Sequence, residues 1–368
     1  MRSSMHVRAT CRLLVAGIVV GPLALFAQAA SLVQESDWRR ANDAVGALER
    51  GHADVLQWEQ ANLTADSGQP VATGAAIPTA EAAVRMAWRA HRELAGPLAR
   101  LGAQNEQLIA QGRWTALDPS LQRRVHDAGE VLEVAVQARK AWIEAVAAQQ
   151  VLKHQRDILE AAQAASELGQ RMVAVGNWSK LQLTPVQLAA TNARMNLRRA
   201  QYAADGAQSR LIKTMGQMGL QEGFSLPEQL PAIPAQAMSD ADLQQRAEAI
   251  RKQLPDAESL RNRALFRQAM NAYRAAHALA LDSQRDVLKT REFITEETVL
   301  HYNGMLKSVW DLLGEVRNQS QAAVETIGAQ RDFWMAETDL QWVLQGGAPD
   351  GFVALGGSGG DGPAAAPQ

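Results

Sequence analysis

Val173-Ala-Val-Gly-Asn-Trp-Ser-Lys-Leu-Gln-Leu183 and Tyr302-Asn-Gly-Met-Leu-Lys-Ser-Val-Trp-Asp-Leu312 are two copies of one pattern, 129 residues apart. That shift lays Ser179 on Ser308, Gln182 on Asp311 and Leu183 on Leu312. Each copy carries a glycine, Gly176 in one and Gly304 in the other, one position out of register. Each lies between two long alanine-rich segments studded with charge. The pattern reads as the tight turn of a long helical hairpin, and the chain as two such hairpins in tandem.

The flanking arms support this. A helical pattern runs from Leu121 to Leu168, with Val131, Ala135, Ala138, Trp142, Ala145, Gln149 and Leu152 at alternating spacings of four and three. That is a heptad seam of mostly small residues. At ~1.5 Å per residue the arm reaches about 75–80 Å. The return arm is expected to start at Pro185, a favourable first-turn residue. Its seam is Val186, Ala190, Ala193, Leu197, Ala200, Ala204, Ala207 and Leu211, and alanine at so many positions implies close approach of helices. In the second half one arm opens at Pro255 and continues to about His301. The other carries Val316, Ala323, Ile327 and Trp334 to about Leu344.

Outward from the hairpins, Thr79 starts a helix expected to run to about Gln111, and Asp118-Pro-Ser120 breaks the chain before the first long arm. Gly216 to Pro234 is rich in Gly and Pro, and Ser239-Asp-Ala-Asp starts a short helix to Lys252. A further helix spans Gln34 to Leu63, with Trp38, Val45, Leu48, Val55 and Trp58 near one face. The expected organisation is a signal peptide at 1–30, an N-terminal helix and linker at 31–78, and a first hairpin repeat at 79–218. A linker with a short helix follows at 219–254, then a second hairpin repeat at 255–345 and a disordered tail at 346–368, where Gly-rich sequence cannot form a core.

Composition agrees with an all-α body. β-branched and aromatic residues are scarce among abundant Ala, Gln, Glu, Arg and Leu. Arg2, Arg8 and Arg12 precede an apolar run from Leu13 to Phe26, and Ala27-Gln-Ala29 offers a cleavage site, so the start reads as a secretory signal. Cys11, the one cysteine, falls inside it. The mature chain therefore has no disulfide and no thiolate chemistry. Taking the signal's three Arg from the 37 basic residues leaves 34 against 39 acids, a net −5 with mixed signs, which points away from nucleic acid.

No nucleophile–base set, phosphate-binding glycine loop or dinucleotide fingerprint is present, so neither an enzyme nor a cofactor is expected. The seven His show no HxxxH or HExxH spacing. The eleven Met, Met215, Met218 and Met270 among them, offer soft copper(I) ligands in principle, but scattered placement fits gap-filling in helix seams better.

With the duplicated turn, its arms and the leader in view, the sequence resembles the TolC-like outer-membrane efflux factors from about residue 79 to 345. The family's turn has the form Tyr-x-x-Gly-x-x-Ser-x-x-Asp-Leu-Leu. Tyr302, Ser308, Asp311, Leu312 and Leu313 match it, with Met305 at the glycine position, while Gly176, Ser179 and Leu183 match in the first copy. Ala329 to Leu340 also looks like the family's closing helix. The resemblance implies an exported protein of the periplasm or cell outer membrane, a homotrimer whose helices form a hollow cylinder. A periplasmic membrane-fusion adaptor and an inner-membrane pump would be its partners. It places adaptor docking at Gly176, Asn177, Trp178, Ser179, Leu181, Gly304, Met305, Ser308 and Trp310. An aperture is placed at Tyr302, Lys307 and Asp311, where a ring of carboxylates would select charge.

Duller roles stand beside these: Asp311 as a helix N-terminal acid, and Trp178 and Trp310 packing the arms together. The family's four membrane strands have no counterpart. Gly102–Gln122 reads as helix end and loop, and Ala257 to Phe293 as unbroken helix. The alternative functions are a barrel-less periplasmic structural or adaptor protein, and a copper-resistance accessory.

Overall fold

The computed structural model describes residues 76–216 and 224–355. The expected signal peptide with Cys11, the helix from Gln34 to Leu63 and the chain beyond Leu355 lie outside the described residues.

The fold is all-α, two long antiparallel helical hairpins in tandem. A short N-terminal group comprises α1 (Ala80–Ala90), α2 (Ala95–Leu101), α3 (Ala103–Ala110) and α4 (Leu121–Arg124). The first hairpin is α5 (Ala128–Ala174) and α6 (Lys180–Thr214). After α7 (Asp240–Arg251), the second is formed by α8 (Asp256–Asp282), a π-helical segment (Ser283–Leu288), α9 (Lys289–Asn303) and α10 (Val309–Val343). With 47 residues α5 is ~70 Å long. The only β pairing among the described residues is a single parallel bridge, Ala76 to Ser225. No helix among them is long and apolar enough to cross a membrane.

The long helices form one layer in the order α6, α5, α10, α8–α9. Central α5 and α10 join the two hairpins, while α6 and α8–α9 stand at the edges. The expected seams face inward: Val131, Ala135, Ala138, Trp142, Ala145 and Leu152 on α5 are buried, as are Ala190, Ala193, Ala207 and Leu211 on α6. Gln149 is the exception and is exposed.

Three large apolar clusters fill the end away from the turns. One holds Trp88, Leu94, Trp114, Leu117, Leu121 and Leu132, the second Ile77, Trp142, Val146, Leu211 and Met215, and the third Phe266, Tyr273, Phe333, Leu340 and Val343. Towards the turns there is one small cluster, built on Ile158, Ala162, Ala190 and Ala193.

Four expectations are corrected. The helix from Thr79 is not continuous to Gln111. It stops at Ala90, and Gly102 adopts φ 78 between α2 and α3. The first long arm starts at Ala128 rather than Leu121, because Asp127 takes a left-handed conformation, φ 63, after α4. The return arm starts at Lys180 rather than Pro185. Ser179 caps it there, so Pro185 falls inside the helix in its second turn, where it leaves the Leu181 carbonyl without its ladder bond. The tail from Gly346 is anchored in its first part: Phe352 and Leu355 pack on the third cluster.

Candidate functional site

The two turns are built alike, bond for bond. At the end of α5 the Gly176 and Asn177 N–H groups donate to Val173 O (3.0 Å) and Met172 O (2.9 Å). At the end of α9 the Met305 and Leu306 N–H groups donate to Tyr302 O (3.0 Å) and His301 O (2.8 Å), the same positions after the 129-residue shift. This is the helix-ending motif that needs a left-handed residue just past the cap. Gly176 supplies it at φ 80. In the second turn Met305, not Gly304, takes that place, at φ 60. The glycine that looked one position out of register is therefore not the structural equivalent; Met305 is. A left-handed Met is costly, and 94% of this one is exposed.

The return helices also start alike. Ser179 Oγ accepts from Gln182 N (3.2 Å) while Gln182 Oε1 accepts from Ser179 N (2.8 Å). Ser308 Oγ accepts from Asp311 N (3.2 Å) while Asp311 Oδ2 accepts from Ser308 N (2.9 Å). Both are complete capping boxes. In the single chain Asp311 thus does a capping acid's work, and its hydrogen bonds from Ser308, helped by Lys307, hold its carboxyl below the usual range. That contribution is present above the ordinary aspartate value and is lost as pH falls through the lowered one. Ser179→Ala or Ser308→Ala should each destabilise by about 1 kcal/mol in urea unfolding, and no loss would mean the caps do not form.

Trp178 and Trp310 meet. Their rings stack with centroids 4.4 Å apart and 23° between planes. They are not equivalent in the duplication, since Lys307 matches Trp178 and Leu181 matches Trp310. Around them the turns carry exposed Val175, Leu181 (81% exposed), Met305 and Leu306. Asn177, Lys307 and Gly304 are also exposed, and Tyr302 is half-buried.

A second feature was missed in the sequence although its spacing was visible. On the outer face of α6, Leu181, Leu188, Met195 and Tyr202 recur every seven residues, all exposed, Tyr202 by 83%. The opposite edge shows exposed Phe293 and Leu300, seven residues apart on α9, and exposed Leu279 on α8, beyond the π-helical segment that shifts the heptad phase between them. Exposed apolar stripes in heptad phase are the mark of an unpaired helix seam.

At the far end, buried charge joins the hairpins. Lys140 donates to Asp339, which is 1% exposed, and Arg139 lies 3.6 Å from Glu337. Burial pushes both carboxyls above their usual range, against the pull of Arg139 and Lys140. Gln341 donates to Glu337 and accepts from Trp114 N (2.8 Å), while Gln345 donates to Trp114 O (2.8 Å). The Trp114 backbone is thereby tied to the end of α10 and to Gln345 just beyond it. Among the described residues no group of three His, Cys, Asp or Glu is placed to hold a metal.

No family model and no curated protein matches the chain. Solved structures do. The Campylobacter jejuni CmeC outer membrane channel is 13% identical over 66% of this chain and 67% of its own, with a TM-score of 0.44. CusC, described through conformational changes accompanying folding and transmembrane channel formation, is 12% identical over 73% of this chain and 92% of its own, TM-score 0.47. A membrane protein from Pseudomonas aeruginosa is 13% identical over 68% and 74%, TM-score 0.43.

Proposed function

We propose that the chain is the channel component of an efflux system, a non-enzymatic helical conduit of the periplasm and outer membrane that assembles as a homotrimer and docks an adaptor through its turns. The observation that carries this reading is the exposed heptad stripe on α6 together with the exposed apolar pair Phe293 and Leu300 on α9 at the opposite edge. A layer whose two edges both carry unpaired seams can close on copies of itself, head to tail, into a ring. The docking role rests on the turns. An exposed Met305 kept in a strained left-handed conformation is the kind of outlier found where contact matters more than stability. Gly176, Asn177, Trp178, Ser179, Leu181, Gly304, Met305, Ser308 and Trp310 then form the docking face for a periplasmic adaptor and its inner-membrane pump. Tyr302, Lys307 and Asp311 border the aperture.

A second reading, a periplasmic structural or adaptor protein that does not conduct, is favoured by the far end. There residues 92–124 fold into short helical turns around Trp114. Two measurements separate the readings. Purified protein should sediment as a trimer and give ion conductance in planar lipid bilayers. A trimer without conductance selects the second reading, and a strict monomer removes both the ring and the conduit. For docking, a photo-crosslinker at Leu306 should capture an adaptor in cells, and Met305→Gly should abolish capture while leaving stability equal or better. Undiminished capture by Met305→Gly would sink the docking role.

A further inference from the structure

We propose that Trp178 and Trp310 form a clasp that makes the two turns of one chain a single moving part. The stack lies at the end of the molecule where apolar packing is thinnest. The small cluster of Ile158, Ala162, Ala190 and Ala193 is well short of the turns, and the clusters of large side chains are at the other end.

Both rings are held in place from their own side. Trp178 immediately precedes the cap residue Ser179, and Trp310 is the second residue of α10 after the cap Ser308. The two capping boxes therefore fix where each ring stands relative to its turn. The seat for Trp178 is cut into α5 by Gly169, which is buried. A Cβ there would lie 2.9 Å from Leu183 Cδ1 and 3.2 Å from Trp178 Cζ3. Glycine at this point lets α6 and the indole come closer to the α5 backbone than any other residue allows.

Duplication does not explain the stack, because the two tryptophans occupy different positions of the repeat. Parallel offset rings at this separation attract one another beyond the area they bury. The result is that Val175 and Leu181 from one turn, and Met305 and Leu306 from the other, form one composite face. So far as the clasp governs docking it rests on the reading above. As a coupling of the two turns it stands without a partner.

The test is made on the protein alone. In a Cys11→Ser background, spin labels at Asn177→Cys and Lys307→Cys report the distance between the turns. A control pair at Glu130→Cys and Glu258→Cys reports the far end. Labelled chains are diluted with unlabelled ones, so that distances within one chain dominate. The turn pair should give one narrow distribution. Trp310→Ala should at least double its width and leave the control pair unchanged, and Trp310→Phe, which keeps a flat ring, should restore most of the narrowness. Gly169→Leu, which fills the seat of Trp178, should widen it as Trp310→Ala does. A turn distribution unmoved by both Trp310→Ala and Gly169→Leu, or one that widens no more than the control pair, overturns the clasp.

Discussion

On the proposed trimeric ring, the double variant Met195→Glu, Tyr202→Glu should remain folded and sediment as a monomer at concentrations where the unaltered chain sediments as a trimer. Both side chains lie on the outer face of α6 and contribute little to the packing of their own chain. Surface substitutions of this kind usually change stability by no more than about 0.5 kcal/mol. In a ring the same positions become the seam against α8–α9 of the next copy, and each glutamate there is a charge taken out of water without a partner. The effect on assembly is therefore large while the effect on the fold is small. Sedimentation paired with circular dichroism reads both. Phe293→Glu with Leu300→Glu should do the same from the other edge. Assembly at undiminished affinity in either double variant would mean that the stripes do not face a neighbouring copy.

Lys140→Ala should be the most damaging single change in the base of the molecule, with a loss of about 3 kcal/mol at neutral pH or above. Asp339 is buried, and its second oxygen accepts no hydrogen bond within the protein. Without the ammonium of Lys140, its ionised form has nothing left to offset desolvation. The sign with pH follows. Burial already raises the Asp339 carboxyl above its ordinary value, and losing Lys140 raises it further. A carboxyl raised on folding favours the folded state at low pH, and that benefit disappears as pH rises through the folded value. The deficit of Lys140→Ala should accordingly shrink on acidification and grow towards pH 8. Glu337 is raised by burial in the same direction. Glu337→Gln, which removes the charge and keeps the shape, should cost little at pH 8 and flatten the pH dependence. Guanidinium unfolding at pH 5 and 8 decides it; a loss for Lys140→Ala that is absent, or equal at both, would contradict a buried pair.

How far the sequence foretold this structure differs from one part to another. The turns were legible almost to the atom, because they are local: cap, left-handed residue and helix start all lie within a dozen residues. Even there the alignment set Met305 at the glycine position, and only the backbone shows that Met305 itself, not the neighbouring Gly304, adopts the left-handed conformation. The inner seams of α5 and α6 were legible as heptads. That same strong alanine periodicity drew attention from a second seven-residue spacing on α6, the one that exposure makes interesting. The far end was barely legible. Trp114 stands in a stretch that looks like loop, and what fixes it are side-chain bonds from Gln341 and Gln345, more than 220 residues away. No local pattern encodes such a contact. Likewise Trp178 and Trp310 could be placed beside the turns, but only tertiary packing shows that they touch.

The uneven distribution of the core has a mechanical consequence. With the three large apolar clusters and the buried ion pairs gathered at one end, and alanine, serine and threonine seams running towards the Trp178–Trp310 stack at the other, the described residues are built as a stiff handle carrying compliant prongs. Bending the prongs strains few large contacts, so the turns should yield to force before the handle does. Amide hydrogen exchange should accordingly be fastest in the prongs and slowest in the handle.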